Sequence, residues 1–160
     1  MAMNFSEATG DFIAAVRRAL DTVVEQEGEK IAALARRMAD SIRSGGVVHL
    51  FGTGHSHLVS LEAFHRAGGL APVNTMIEVP LTEFYSGRGA FMERLSGYAR
   101  IILDYHDPRP GEVLVIISNS GINPVPVEMA MEAKERGLFV AAVTNIAHAL
   151  SVASRHASGK

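Results

Sequence analysis

The chain has 160 residues, of which 48% are hydrophobic and 20% are charged, and its formal net charge is −2. This length is typical of one domain with a single hydrophobic core. The small net charge, with acidic and basic residues interspersed, argues against a nucleic-acid or anionic-membrane partner. The lack of cysteine excludes disulfides, thiolate metal sites and a cysteine nucleophile. With no apolar run of bilayer length and no secretory signal pattern, we expect a soluble cytoplasmic protein.

The first part of the chain predicts a long helical segment. Apolar side chains recur at three- and four-residue spacing from about Ser6 to Ser44, as in an amphipathic helix. Gly28 lies in a polar stretch between the two halves of this pattern, and we expect it to break or bend the helix. A helical segment of this length is longer than is needed to cover one face of a sheet. We therefore expect residues 1–45 to pack on another subunit, or alternatively over their own core, and residues 46–160 to form the main domain.

The rest of the chain alternates apolar runs with helical patterns, which predicts an α/β fold with a mainly parallel sheet. The predicted strands are Val47–Phe51, Leu70–Val79, Val113–Ile117 and Leu138–Val143. The predicted helices that follow them are His57–Ala67, an ambiguous one around Phe91–Ile102, Val125–Arg136 and Ile146–Ala153. Ligands of such sheets bind beyond the carboxyl ends of the strands.

Two polar turns lie at those carboxyl ends: GTGHS at Gly52–Ser56 and SNSGIN at Ser118–Asn123. A glycine turn between a strand and a helix can direct backbone N–H groups at an anion, and the hydroxyl groups here add neutral donors. The pattern favours a phosphomonoester held without a fixed charge, with an ordinary strand–helix turn as the alternative. The candidate ligand-binding residues are Gly52, Thr53, Gly54, His55, Ser56, Ser118, Asn119, Ser120, Gly121, Asn123 and Thr144.

At these residues the chain resembles the SIS (sugar isomerase) domain family, over about residues 47 to 145. The matching features are the long leading helix, the G-x-G-x-S turn, and the S-x-S-G-x-N turn with Glu128 in the next helix. The chain is most similar to phosphoheptose-isomerase-like members. This resemblance implies a three-layer αβα sandwich, a phosphorylated sugar as ligand, and a homodimer or homotetramer with sites at subunit boundaries. We expect no cofactor. By position it implies that Ser56, Ser118, Ser120 and Thr144 hold the phosphate, while Gly54 and Asn123 shape its loops.

The resemblance also implies aldose–ketose isomerisation, which needs a base to take a proton from the carbon beside the carbonyl. Phosphoheptose isomerases take that base from a glutamate in the helix after G-x-G-x-S, at the place of Arg66 here. Glu62, one turn earlier, is the only carboxylate in the predicted helix and is our candidate base, with His57 or His65 as its acid partner. The alternatives are a non-catalytic phosphosugar sensor and a phosphosugar lyase of the etherase type.

Other polar residues carry weaker signals. His55, His57 and His65 form the strongest histidine group, but no carboxylate spacing completes a metal motif, so we predict no metal site. A dinucleotide site would need a glycine where His57 stands, which argues against a nicotinamide enzyme. Glu78 and Glu83 have weaker claims to catalysis than Glu62.

The end of the chain is difficult to interpret from its sequence. Residues 154–158, SRHAS, form either a second anion contact or a frayed tail. Members of the SIS family usually add another strand and a closing helix after the region of Thr144-Asn145. We therefore expect that this chain lacks the last strand and helix of the fold.

Overall fold

The structure, a computed structural model, describes residues 5–85 and 87–159. Its helices and strands are α1 (Phe5–Arg43), β1 (Val48–Gly52), α2 (His57–Ala63), β2 (Val73–Met76), α3 (Gly89–Met92), α4 (Tyr98–His106), β3 (Val113–Ile117), α5 (Pro124–Glu135), β4 (Phe139–Val143) and α6 (Ile146–Ser151). The described residues divide into two compact units on either side of the bond between Arg37 and Met38. Among the described helices, none combines the length and the hydropathy that crossing a membrane requires.

Helix α1 is continuous over 39 residues, so the predicted break at Gly28 is wrong. A glycine inside a helix costs about 1 kcal/mol relative to alanine, which the hydrogen bonds of a helix this long outweigh. One face of α1 carries exposed apolar side chains, namely Phe12, Ile13, Val16, Leu20, Val23, Val24 and Ile31.

The sheet has four strands in the order β2-β1-β3-β4, and every neighbouring pair is parallel. This confirms the predicted α/β fold with a parallel sheet. All residues of the central strand β3 are buried, which explains its unbroken apolar composition. In contrast, the residues of the edge strand β4 are exposed or half-buried.

The direction of the connections places the helices on both faces of the sheet. The chain moves from β1 to β2 in one direction along the sheet and from β2 to β3 and β4 in the other. Because such crossovers are right-handed, α2 covers one face while α4 and α5 cover the other, as the expected three-layer sandwich requires. The core on the second face contains Phe51, Met76, Leu81, Ala99, Ile102, Leu103, Leu114, Ile116, Val125, Met129, Ala133 and Leu138.

Two predicted elements are shorter than expected. Helix α2 ends at Ala63 instead of Ala67, because Phe64 has an extended backbone (φ −86°, ψ 130°) and His65 has a φ of 39°. The second strand is confined to Val73–Met76, the four residues that pair with β1. Helices α5 and α6 differ from their predicted bounds by one or two residues.

Candidate functional site

The two polar turns leave the sheet side by side. Strands β1 and β3 are neighbours, and their last residues, Gly52 and Ile117, are paired. The order of the strands reverses here, because the chain leaves β1 for β2 on one side and later enters β3 on the other. A crevice opens at the carboxyl ends of the strands at such a reversal. The fold therefore brings Gly52–Ser56 and Ser118–Asn123 to one crevice.

The turn after β1 is tightly closed. A Cβ on Gly52 would stand 2.7 Å from the carbonyl carbon and oxygen of Ser56, so only glycine allows the turn to fold back on the strand. The amide of half-buried Ser56 donates to the carbonyl of Thr53, at 3.1 Å, while His55 is exposed. The buried Thr53 hydroxyl donates to Oε2 of Glu93 at 2.9 Å. Its single proton is therefore directed at a carboxylate.

The His57 side chain stabilises this turn through a hydrogen bond to its backbone. The ring is buried, and Nδ1–H donates to the carbonyl of Gly54 because a carbonyl oxygen can only accept. The ring also packs edge-on against Phe84, with centroids 5.7 Å apart. A neutral imidazole in this arrangement keeps a lone pair on Nε2, which is buried and has no hydrogen-bond partner among the described residues. His57 would need a second proton to act as an acid.

The turn after β3 closes on the end of β4. The amide of Gly121 donates to the Ser118 hydroxyl oxygen at 3.1 Å, and the hydroxyl of Thr144 donates to the Asn119 carbonyl at 3.4 Å. Gly121 has a φ of 65°, and a Cβ there would meet the Thr144 hydroxyl at 3.0 Å. The Ser120 side chain is half-buried, and within the described part of the chain its hydroxyl has no partner. This turn therefore has hydroxyl donors available for a ligand.

The amino end of α5, in contrast, has few free donors. Pro124 and Pro126 lack an N–H group, and the amide of Val125 donates to the carbonyl of Glu93 at 3.0 Å. The amide of Val127 donates to the Asn123 carbonyl at 3.2 Å. An anion at this edge must therefore be held by the preceding loop and by side chains, not by the first amides of the helix.

A positive charge reaches the same loop from the end of the chain. Arg155 donates from its guanidinium to Oδ1 of Asn123 at 2.7 Å and from its amide to the carbonyl of Ile122 at 2.9 Å. His156 Nε2 lies 3.4 Å from Oε1 of Glu128, and both side chains are largely buried. The segment SRHAS thus packs on the loop and brings a guanidinium group beside the turn for which the sequence predicted neutral donors alone.

Two of the predicted catalytic residues lie away from this crevice. The Glu62 side chain is 71% exposed and pairs with Arg66. It lines a cavity together with Val48 and Val73, the first residues of β1 and β2, so it lies towards the amino-terminal edge of the sheet. His65 lines a neighbouring cavity with Leu70. Within one chain, Glu62 and His65 are therefore not brought to the Gly52–Ser56 turn.

Three other carboxylates lie between β2 and α4 in the chain, and two of them, Glu83 and Glu93, lie beside the turn. Glu78 accepts a hydrogen bond from the Tyr98 hydroxyl at 2.9 Å, and burial together with this carboxylate raises the pKa of Tyr98 to about 12. Oε1 of Glu83 lies 3.1 Å from the position of a Cβ on Gly54. Sequence reasoning missed Glu93, because it belongs to a stretch of ambiguous pattern and no motif marks it. Among the described residues, no three His, Asp or Glu side chains are grouped closely enough to hold a metal ion.

Sequence comparison adds independent information. Residues 11–145 match a family model described as the SIS domain. A UPF0309 protein of Listeria monocytogenes serotype 4b is 39% identical over 145 residues, which are 89% of this chain and 58% of that protein. A UPF0309 protein of Halalkalibacterium halodurans is 41% identical over 147 residues, 91% of this chain and 58% of that protein. The chain thus spans about three fifths of the length of these relatives.

The fold is shared with solved structures. A phosphoheptose isomerase from Francisella tularensis superimposes with a TM-score of 0.71 at 18% identity, covering 93% of this chain and 79% of that one. A protein of E. coli CFT073, solved in complex with a sugar phosphate, has a TM-score of 0.52 at 15% identity, covering 98% of this chain and 80% of that one. At these identities the likeness concerns the fold.

Proposed function

The chain belongs to the SIS domain family, and from this premise we propose that it binds a phosphorylated sugar between β1 and β3 and interconverts its aldose and ketose forms. The observation that carries the proposal is the meeting of Gly52–Ser56 and Ser118–Asn123 where the strand order reverses. The fold shared with a phosphoheptose isomerase and with a protein that holds a sugar phosphate supports a ligand of this class.

The loop after β3 is the proposed phosphate subsite. Ser118 and Ser120 supply hydroxyl donors, and Arg155 adds a guanidinium group on the same loop. A hydrogen bond to a charged group contributes about 1.5–3 kcal/mol, so these few groups are sufficient for a phosphate dianion. In this proposal Asn123 acts through Arg155, whose guanidinium donates to its Oδ1.

A phosphosugar-binding sensor without catalysis is the second candidate function. The observation that favours it is the position of Glu62 and His65 towards the other edge of the sheet. From there, Glu62 could act as the base only in the site of a neighbouring subunit. An isomerase exchanges the proton on the carbon beside the carbonyl with solvent, whereas a sensor does not. Deuterium incorporation in D₂O therefore distinguishes the two candidates.

The binding proposal is tested by screening hexose, heptose, pentose and amino-sugar phosphates for thermal stabilisation, followed by isothermal titration of the best ligand. We expect Ser120→Ala to weaken binding by about 1.5–3 kcal/mol, because a donor to a charged phosphate is lost. Ser44→Ala is the matched control, since that hydroxyl donates to the Asp40 carbonyl before β1. Equal affinity in the two variants would contradict the proposed subsite.

A further inference from the structure

We propose that Glu93 is the general base of the isomerisation. This inference rests on the proposed phosphosugar site and names the residue that removes the substrate proton there. The nearest motif-based candidate, Glu62, lines a cavity with the first residues of β1 and β2. Glu93, in contrast, is hydrogen-bonded to the turn after β1 and to the first turn of α5, which follows the Ser118–Asn123 turn.

Glu93 is held between the two turns by its side chain and its backbone. Its Oε2 accepts the hydrogen bond from Thr53, in the turn after β1, at 2.9 Å. Its carbonyl accepts from the amide of Val125, at the start of α5, at 3.0 Å. Its own amide donates to the carbonyl of Gly89 at 2.9 Å, which completes the end of α3. The carboxylate is therefore positioned at the crevice from both sides.

The two oxygens of this carboxylate have different surroundings. Oε2 is fixed by the buried Thr53 hydroxyl, while Oε1 accepts no hydrogen bond within the described part of the chain. The side chain is half-buried, so it is neither freely solvated nor closed off. One anchored oxygen and one available lone pair are what a positioned base needs.

The charges around the crevice also determine how a sugar phosphate lies in it. The carboxylates of Glu93 and Glu83 border the Gly52–Ser56 turn and disfavour a phosphate dianion there. Arg155, on the Ser118–Asn123 loop, favours the phosphate at that end. The carbonyl end of the sugar then faces Glu93. This orientation differs from the expectation that Ser56 is a phosphate ligand.

The proposed isomerisation transfers protons between the sugar, Glu93 and solvent, and it needs no further reactant. Oε1 of Glu93 takes the proton from the carbon beside the carbonyl, and the electron pair of that C–H bond forms the carbon–carbon double bond of an enediolate. The former carbonyl oxygen takes a proton from solvent. Glu93 then returns its proton to the former carbonyl carbon, while the neighbouring hydroxyl gives its own proton to solvent and becomes the new carbonyl.

The test compares Glu93→Gln with the wild type in the full chain, using the best phosphosugar of the screen and inorganic phosphate as probes. We expect deuterium incorporation beside the carbonyl, followed by NMR in D₂O, to fall by at least about a hundredfold. Affinity for inorganic phosphate should stay within about twofold, because the phosphate lies at the other end of the crevice. Glu135→Gln, at the far end of α5, is the matched control with unchanged exchange.

Thr53 provides a second test of Glu93, because its hydroxyl positions the Glu93 carboxylate. Thr53→Val removes the hydroxyl that anchors Oε2 and should lower exchange about tenfold without changing affinity, while Thr53→Ser should restore it. A purely structural role of Thr53 would instead lower the melting temperature of the valine variant without a separate loss of exchange. This pair remains informative if Glu93→Gln does not fold.

Several outcomes would overturn the inference. If deuterium exchange survives in Glu93→Gln but is lost in Glu62→Gln, the base is Glu62 of a neighbouring subunit and not Glu93. Phosphate binding that strengthens tenfold in Glu93→Gln would mean that the carboxylate faces the phosphate. A wild type that binds a phosphosugar without any exchange would remove the base but leave the binding proposal. If the wild type binds none of the sugar phosphates, the proposed function fails and this inference fails with it.

Discussion

Glu112 lies just before β3, at the amino-terminal edge of the sheet, and its carboxylate accepts several hydrogen bonds. Its carboxylate accepts from the amide of Val47 at 3.1 Å, from His49 Nε2 at 2.9 Å, and from the amide and guanidinium of Arg109 at 2.8–3.1 Å. The side chain is only 6% exposed. An acidic side chain buried to this degree requires such partners, because an unpaired charge would be costly.

These partners determine how stability depends on pH. Burial raises the pKa of the Glu112 carboxyl, but hydrogen bonds from His49, Arg109 and Val47 outweigh burial and lower the pKa from 4.5 to about 2. The folded state therefore binds the proton less readily than the unfolded chain. The ionised carboxylate contributes about 3 kcal/mol above the unfolded pKa, and this contribution is lost as the pH falls towards the folded pKa.

We predict that Glu112→Gln lowers the free energy of unfolding by about 3 kcal/mol at pH 7, because the groups that hydrogen-bond the ionised carboxylate lose their charged partner. The difference from the wild type should shrink between about pH 4.5 and pH 2, where the wild-type carboxylate is itself protonated. Urea denaturation across this range measures both effects, with Glu29→Gln on exposed α1 as the control. A difference that does not change with pH would contradict the assignment.

Gly28 and Gly52 have different effects on the two elements that contain them. Gly28 lies inside α1 with no atom within 4 Å of a Cβ position, so its only effect is on the backbone of the helix. Gly52 ends β1, and a Cβ there would stand 2.7 Å from the backbone of Ser56. The same change, glycine to alanine, should therefore have opposite signs at the two positions.

We predict that Gly28→Ala stabilises the protein by up to about 1 kcal/mol, because alanine favours the helix. Gly52→Ala should destabilise it by about 1–3 kcal/mol, since the added methyl group forces the turn away from the strand. It should also weaken phosphosugar binding, because the turn borders the crevice. Chemical denaturation and titration of both variants measure these effects, and a stabilising Gly52→Ala would show that the close approach to Ser56 is not required.

At the scale of the whole molecule, the prediction of assembly rests on the apolar face of α1. Leu20 and Val24 on this face are 61% and 71% exposed. Apolar stripes of this length on a helix are usually covered by another element or another subunit. The expected role of residues 1–45 in oligomerisation remains a prediction, since a single chain does not test it.

We predict a homodimer or homotetramer at micromolar concentration, measured by light scattering coupled to size-exclusion chromatography. The double variant Leu20→Glu, Val24→Glu should shift the mass towards the monomer, because it places charges inside the apolar contact. Arg18→Glu is the control, since position 18 lies on the opposite side of the helix. A folded wild type that is monomeric would contradict the prediction.

Local patterns in the sequence determined the elements and the family. The unbroken apolar run of β3 identified a buried parallel strand, and the three- and four-residue spacing of α1 identified a long amphipathic helix. The SIS resemblance is confirmed by the match over residues 11–145. These features were predictable because periodicity and turn composition depend on neighbouring residues.

Only the tertiary structure decided which residues meet at the crevice. Thr53 and Glu93 are 40 positions apart, and Asn123 and Arg155 are 32 apart, yet each pair is hydrogen-bonded. No local pattern records such pairs, because they depend on the order of the strands and the handedness of the connections. For the same reason Glu62, in the helix that leaves the turn, was predictable as a candidate, while its position towards the opposite edge of the sheet was not.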